Sequence, residues 1–306
     1  MISRRTLIQL FGSLGIYIAN PFGLINTATT SPILRNIPKS GESIPAIGMG
    51  TWLTFGIGGD VAARQIRVKI LQEFFKKGGA MIDSSPMYGT SEEVIGHCLK
   101  QIKDTDNLFA ATKVWTTGWQ AGIRQMLRSQ HRWGIKVFDL IQIHNLLDWE
   151  VHLETLEGWK AEGRIRYIGI TTSHGRRHDE LQQILKHEDA IDFVQFTYNI
   201  EDREAEQYLL PLATERKIAV IINRPFQAGN LFNSVQGKPL PAWASEFDCQ
   251  NWAQFFLKFI ISHPAVTCAI PATSRVDHMQ QNMGALYGRL PDAKTRQKMI
   301  KLFVSL

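Results

Sequence analysis

Four residues of reactive type, Asp83, Tyr88, Lys113 and His144, stand at or just beyond the ends of three successive apolar runs, residues 80–84, 108–114 and 138–144. Together they suit one kind of proton chemistry. A carbonyl oxygen gains negative charge as hydride reaches its carbon and then needs a proton, for which a positioned phenol such as Tyr88 is a suitable donor. A phenol of pKa about 10 is a poor acid at neutral pH unless a cation favours its anion, and Lys113 is that cation. A buried ammonium is costly alone, so Asp83 is its expected partner. His144 would orient the carbonyl. Singly, each has a plainer reading: a turn cap, a rim aromatic, a solvated lysine, a core histidine. Their arrival at three consecutive strand ends favours the shared one.

Those ends belong to a repeating pattern. Apolar strand-like runs at 47–52, 80–84, 108–114, 138–144, 167–172, 193–199, 218–224 and 266–272 alternate with helical spacing at 60–77, 91–102, 119–133, 149–162, 177–186, 204–216, 252–262 and 276–285. Near-continuous apolar strands are those of a parallel sheet covered on both faces, and eight strand–helix units without a break predict a single (β/α)8 TIM barrel, whose chemistry gathers at the carboxyl ends of the strands. The rival, a doubly wound dinucleotide fold, needs G-x-G-x-x-G after its first strand. Gly48-Met49-Gly50-Thr51-Trp52-Leu53 lacks the last glycine.

Composition excludes several classes. The 306 residues carry 34 Lys+Arg and 28 Asp+Glu, a net charge of +6, with 44% hydrophobic residues. No basic run interleaved with aromatics suggests nucleic-acid binding. Cys98, Cys249 and Cys268 form no C-x-x-C pair, so neither a stable disulfide nor a thiolate metal site is expected. His174 and His178, four apart across a charged loop, are expected at the surface rather than on a metal. No G-x-S-x-G elbow marks a serine hydrolase.

The matching segments Gly48-Met49-Gly50-Thr51-Trp52, Ile82-Asp83-Ser84-Ser85-Pro86-Met87-Tyr88-Gly89 with Ser91-Glu92, Thr112-Lys113, Ile141-Gln142-Ile143-His144, Gly163-Arg164-Ile165-Arg166-Tyr167-Ile168-Gly169-Ile170 and Ile270-Pro271-Ala272-Thr273 give residues 40–290 a resemblance to the aldo-keto reductases. The resemblance implies reduction of an aldehyde or ketone with a nicotinamide cofactor. It makes Tyr88 the proton donor, Lys113 and Asp83 its tuning pair, and His144 the group that positions the carbonyl. It places Gln195 on the nicotinamide amide and Thr171-Thr172 where the family usually has Ser-Asn. Asn223 stands where the family commonly stacks an aromatic on the nicotinamide ring. Thr273, Arg275 and Asn282 resemble the phosphate and adenine site, and the fork of Arg275 favours the extra phosphate of NADPH over NADH. Two other readings stay open: a nicotinamide-binding regulatory barrel without significant turnover, and a Schiff-base lyase using Lys113, disfavoured because Asp83 and Tyr88 keep that lysine charged.

Residues 1–30 are expected to be a twin-arginine-type signal segment ahead of a barrel at 31–306. Ser3-Arg4-Arg5-Thr6-Leu7 opens an apolar stretch that Asn20-Pro21 ends. Export by the twin-arginine machinery to the bacterial periplasm follows. Without a clean cleavage site, residues 28–31 are the expected neighbourhood, and an uncleaved segment would be a marginal anchor. Removing 30 residues that hold two arginines and no acid leaves 32 − 28 = +4 over 276 residues. Residues 31–45 read as a loop or short hairpin. Trp115 and Trp119 are core or pocket walls, the long connection at 226–250 is positioned to cover the cofactor, and the short tail after 292–304 leaves the mouth relatively open.

Overall fold

The structure, a computed structural model, describes residues 31–306; the expected signal segment lies outside the described residues. Eight parallel strands, β3 (Met49–Gly50), β4 (Met81–Asp83), β5 (Phe109–Val114), β6 (Phe138–His144), β7 (Ile165–Thr171), β8 (Phe193–Thr197), β9 (Ala219–Asn223) and β10 (Cys268–Ala269), pair in sequence order. Bridges Ile47 to Ala269 and Gly50 to Ala272 join the last strand to the first and close the barrel. At that seam both strands are shorter than the sequence suggests. A Cβ on Gly48 would lie 3.1 Å from Cys268 Sγ, and one on Gly50 2.8 Å from the Ile270 carbonyl oxygen. The backbones therefore meet closely through single bridges rather than a long ladder.

Helices α1 (Val61–Lys76), α2 (Ser91–Leu99), α3 (Trp119–Trp133), α4 (Trp149–Ala161), α5 (His178–His187) and α6 (Leu209–Glu215) follow the first six strands. Then α7 (Asn230–Ser234) lies in the long connection, α8 (Trp252–Ile261) and α9 (Val276–Gly284) complete the alternation, and α10 (Ala293–Val304) ends the chain. Asp60 starts α1 by accepting the Ala63 N–H at 2.9 Å. The helix expected at 204–216 is divided into a 3-10 turn at Glu204–Glu206 and α6. Pro211 is the cause, since it lacks an N–H and belongs in a helix's first turn.

Side chains alternate along each strand and split the core in two. Ile82, Ala110, Ile141, Ile168, Val194, Val220 and Ile222 face outward under the helices, whereas Met81, Phe109, Leu140, Tyr167, Phe193, Ile221 and Cys268 fill the barrel. Each fully buried large side chain contributes roughly 1.5–3 kcal/mol.

The segment from 31 to 45 forms an antiparallel hairpin, β1 (Leu34–Asn36) with β2 (Ser43–Pro45). It plugs the amino-terminal end of the barrel: Ile37 and Ile44 join the inner core. Lys39 Nζ donates to the Asp189 and Ile191 carbonyls at 2.6 Å each, and Arg166 bridges Asp139, at 2.5 Å, and Glu42. Ile33 N–H donates to Leu286 O at 2.8 Å, and Pro32 lies against the turn that follows α1.

Candidate active site

At the opposite end the inward positions turn polar. Lys113, two residues above Ala111 on β5, is wholly buried, and its Nζ donates to Asp83 Oδ2 at 2.5 Å and to Ser84 O at 2.9 Å. Burial opposes the lysine's charge, but Asp83 and Tyr88 hold its pKa above the ordinary lysine value. Its ammonium lies 5.3 Å from the centroid of the Tyr88 ring. Burial pushes the Tyr88 phenol above its ordinary pKa, while the Lys113 charge and hydrogen bond pull it back. The expected tuning by lysine is thus present as a counterweight to burial rather than a net lowering.

The Tyr88 and His144 rings meet edge to face with centroids 5.8 Å apart. Burial, then Lys113, lowers the His144 pKa to about 3, so the imidazole is neutral at physiological pH. The Ser85 hydroxyl sits 3.0 Å from Nδ1 and accepts the Met87 N–H. The hydroxyl proton is assigned to Nδ1, the tautomer that places the imidazole proton on Nε2, towards the cavity that His144 lines. His144 is therefore a neutral donor.

Behind this group runs a belt of amides, of which sequence reasoning singled out Gln195 and Asn223 but missed Gln142. Gln142 Nε2 donates to Asp83 Oδ1 at 2.7 Å, and Gln195 Nε2 donates to the same oxygen and to Gln142 Oε1, at 3.1 Å each. Both N–H groups of Gln195 are thereby used, so its Oε1 remains as an acceptor. Asn223 Nδ2 donates to Thr172 O at 2.9 Å, and its Oδ1 accepts from Thr197 Oγ1 at 2.7 Å. The only signal for Gln142 in the sequence is a lone amide inside an apolar run.

A cavity of about 780 Å³ opens over these residues, lined by Asp83, Tyr88, His144, Thr171, Thr172, Gln195, Asn223 and Thr273 among others. Trp52, Leu53, Met87, Phe226 and Phe232 give it apolar walls, and Arg176 and Arg224 add positive charge. Of the long connection at 226–250, Phe226, Ala228, Gly229 and Phe232 line the mouth. Arg275 and Asn282 do not line it: Arg275 is exposed and grips Asp277 with a two-pronged ion pair (Nε–Oδ1 3.0 Å, Nη2–Oδ2 2.6 Å), and Asn282 is buried in α9. Trp115 and Trp119 are neither core nor lining; both are exposed, Trp115 with its ring 6.5 Å from that of His144. His174 lines the mouth, but His178 is mostly buried beside Glu204, against the expected surface placement. No cluster of His, Cys, Asp or Glu able to hold a metal is present among the described residues.

A buried acid-tuning pair, a phenol and a neutral imidazole donor at the floor of a large cavity can protonate an oxygen held there. The sequence profile of the Aldo/keto reductase family matches residues 46–298. The chain belongs to that family. It is similar to the methylglyoxal reductase YeaE of Escherichia coli K12, at 29% identity over 266 residues that cover 85% of this chain and 92% of the relative. It is also similar to an NADH-specific methylglyoxal reductase of the same organism, 27% identical over 250 residues, 69% of this chain and 73% of the relative. Among solved structures, an aldo/keto reductase from Klebsiella pneumoniae in complex with NADP and acetate superposes with a TM-score of 0.70 at 26% identity, covering 86% of this chain and 93% of that one. As in other aldo/keto reductases, the reaction is NAD(P)H-dependent carbonyl reduction. The site fits a nicotinamide amide: Thr172 Oγ1 is buried without a partner, and Gln195 Oε1, in the same cavity lining, accepts only a long bond of 3.4 Å from Asn223 Nδ2. Asn223 gives that ring no aromatic to stack on.

Proposed function

We propose that Tyr88 is the proton donor in reduction of a small-molecule aldehyde or ketone. Bound NAD(P)H supplies the hydride to the carbonyl carbon. His144 Nε2–H donates to the carbonyl oxygen and orients it, and Tyr88 Oη passes its proton to the same oxygen as charge develops. Lys113, held charged by Asp83, stabilises the phenolate left behind. The observation that carries this reading is the buried Lys113–Asp83 pair under the Tyr88 ring. The full chain is expected to oxidise NADPH when given aldehydes, methylglyoxal among them. Tyr88→Phe should lower turnover by roughly 10²–10⁴-fold while cofactor still quenches protein fluorescence. Quenching without turnover of any carbonyl in a broad panel moves the conclusion to a regulatory barrel, the reading that the missing stacking aromatic at Asn223 favours. Trapping of substrate on Lys113 by borohydride would move it to a Schiff-base lyase.

For the cofactor, Gln195, Thr171, Thr172 and Asn223 are assigned to the nicotinamide end and Thr273 to the adenosine end, with Arg275 and Asn282 assigned to the stretch of adenosine that extends beyond the cavity lining, and NADPH preferred over NADH. The exposed fork of Arg275 supports this preference, because it can take a 2′-phosphate in two places once that phosphate displaces Asp277. A ratio of kcat/KM for the two cofactors that does not change in Arg275→Ala would refute it. We infer that residues 1–30 act as a twin-arginine signal and that the barrel at 31–306 is exported to the periplasm as a folded, cofactor-loaded passenger. The Arg4-Arg5 pair supports this, as do three buried free cysteines, a body that needs no oxidation to fold. Fractionation of cells expressing the full chain, with Arg4→Lys plus Arg5→Lys as the control, tests it.

A further inference from the structure

We propose that Gln142 is a positioning residue for proton transfer, one that orients the Asp83 carboxylate so that Oδ2 is committed to Lys113. The inference rests on the reading of Tyr88 as proton donor. Asp83 has two oxygens and little contact with solvent. Oδ2 meets Lys113 at 2.5 Å, while Oδ1 is held by Gln142 at 2.7 Å and by Gln195 at 3.1 Å. Of the two amides, Gln142 is the shorter bond and is wholly buried; it does not line the cavity, so it has no ligand to bind. It is also fixed at its other end, since its Oε1 accepts from Gln195. The barrel makes room for it at a specific place: a Cβ on Gly169 of the neighbouring strand β7 would lie 2.7 Å from Gln142 Cγ.

The chemistry follows from the acceptor count. A buried carboxylate that loses a hydrogen bond to one oxygen draws harder on the proton of its remaining partner. In this site that partner is Lys113, whose positive charge is what favours the Tyr88 anion. The titratable groups that face the Asp83–Lys113 pair are Tyr88 from the loop after β4, Cys268 from β10 and His144 from β6. Burial keeps the Cys268 thiol and the His144 imidazole neutral, so neither replaces the missing stabilisation. With the lysine charge weakened, Tyr88 becomes a weaker acid. Turnover falls and the alkaline limb of the kcat/KM profile, where Tyr88 loses its proton, moves to higher pH.

Three variants of the full chain test this. Gln142→Met keeps the length of the side chain and removes the donor. It is expected to unfold cooperatively, bind NADPH with little change, lose roughly ten- to a hundredfold in kcat, the equivalent of a hydrogen bond to a charged group, and show the upward shift of the alkaline limb. Gln142→Glu restores a donor only while protonated, so its activity should fall with rising pH through a limb absent from the parent. Gly169→Ala displaces Gln142 without removing its amide and should move the limb the same way by less. An unmoved limb in a folded Gln142→Met overturns the proposal and makes Gln142 a packing residue. A loss confined to KM for NADPH overturns it as well, because Gln142 would then serve the cofactor through Gln195. Failure of the parent reading looks different: Tyr88→Phe would keep its turnover.

Discussion

At the floor of the barrel, Arg166 is 45% exposed and reaches Asp139 and Glu42 over a plug of Ile37 and Ile44; at the mouth, Lys113 has no exposed surface and meets an Asp83 that is 2% exposed. The same inward ladders supply both ends. Phe109 gives way to Ala111 and then Lys113, Leu140 to Gln142 and His144, Phe193 to Gln195 and Thr197, and Ala219 to Ile221 and Asn223. Apolar fill at the floor lets ions stay in water, where a pair is nearly neutral in energy. The polar layer at the mouth takes ions out of water, where a pair is costly to form and costlier to break. Ions are left exposed below and are buried above, where burial and pairing shift their pKa values.

Breaking the upper pair should have the largest effect. Lys113→Met leaves Asp83 as an uncompensated buried charge and is expected to cost about 3–5 kcal/mol in urea unfolding along with carbonyl turnover. A loss under about 1 kcal/mol would mean that the mouth treats its ions as the floor does. Next, Ile37→Ala opens a cavity in the plug and should cost about 2–5 kcal/mol, with kcat per folded molecule unchanged; altered kcat would show that the two ends are coupled.

A smaller effect is set by pH. His144 has a pKa of about 3 in the fold against an ordinary 6.5. Its unfolded form therefore takes up a proton first as pH falls. The stability it contributes is complete above pH 6.5 and is lost as pH falls towards 3. His144→Gln should flatten the dependence of the urea midpoint on pH in that window, and the parent kcat/KM profile should show no limb near pH 6.5 from this residue. Smallest of all, Glu42→Gln at the floor is expected to cost less than about 1 kcal/mol, in a double-mutant cycle with Arg166→Ala.

The strands were legible because a buried parallel sheet demands unbroken apolar runs, and Asp83, Lys113 and His144 were legible because they interrupt or end those runs. The seam was less so. Its closure depends on close backbone approach at Gly48 and Gly50, which shortens β3 and β10 in a way no propensity describes. The division of the helix at 204–216 was signalled by Pro211 but outweighed by its apolar spacing. Gln142 escaped notice for a different reason: its meaning comes from Asp83 and Gln195, residues 59 and 53 positions away. Arg275 and Asn282 were assigned from resemblance alone, and the structure sets both outside the cavity lining.

The hairpin has a further bearing on how the molecule is mounted. Ile33 and Pro32 are fastened among the turns at the floor, by Leu286 and the end of α1, on the face remote from the cavity. The described chain therefore begins at one end of the barrel and the entrance to Tyr88 opens at the other, so a fusion or surface attachment made at residue 31 would present the cavity outward.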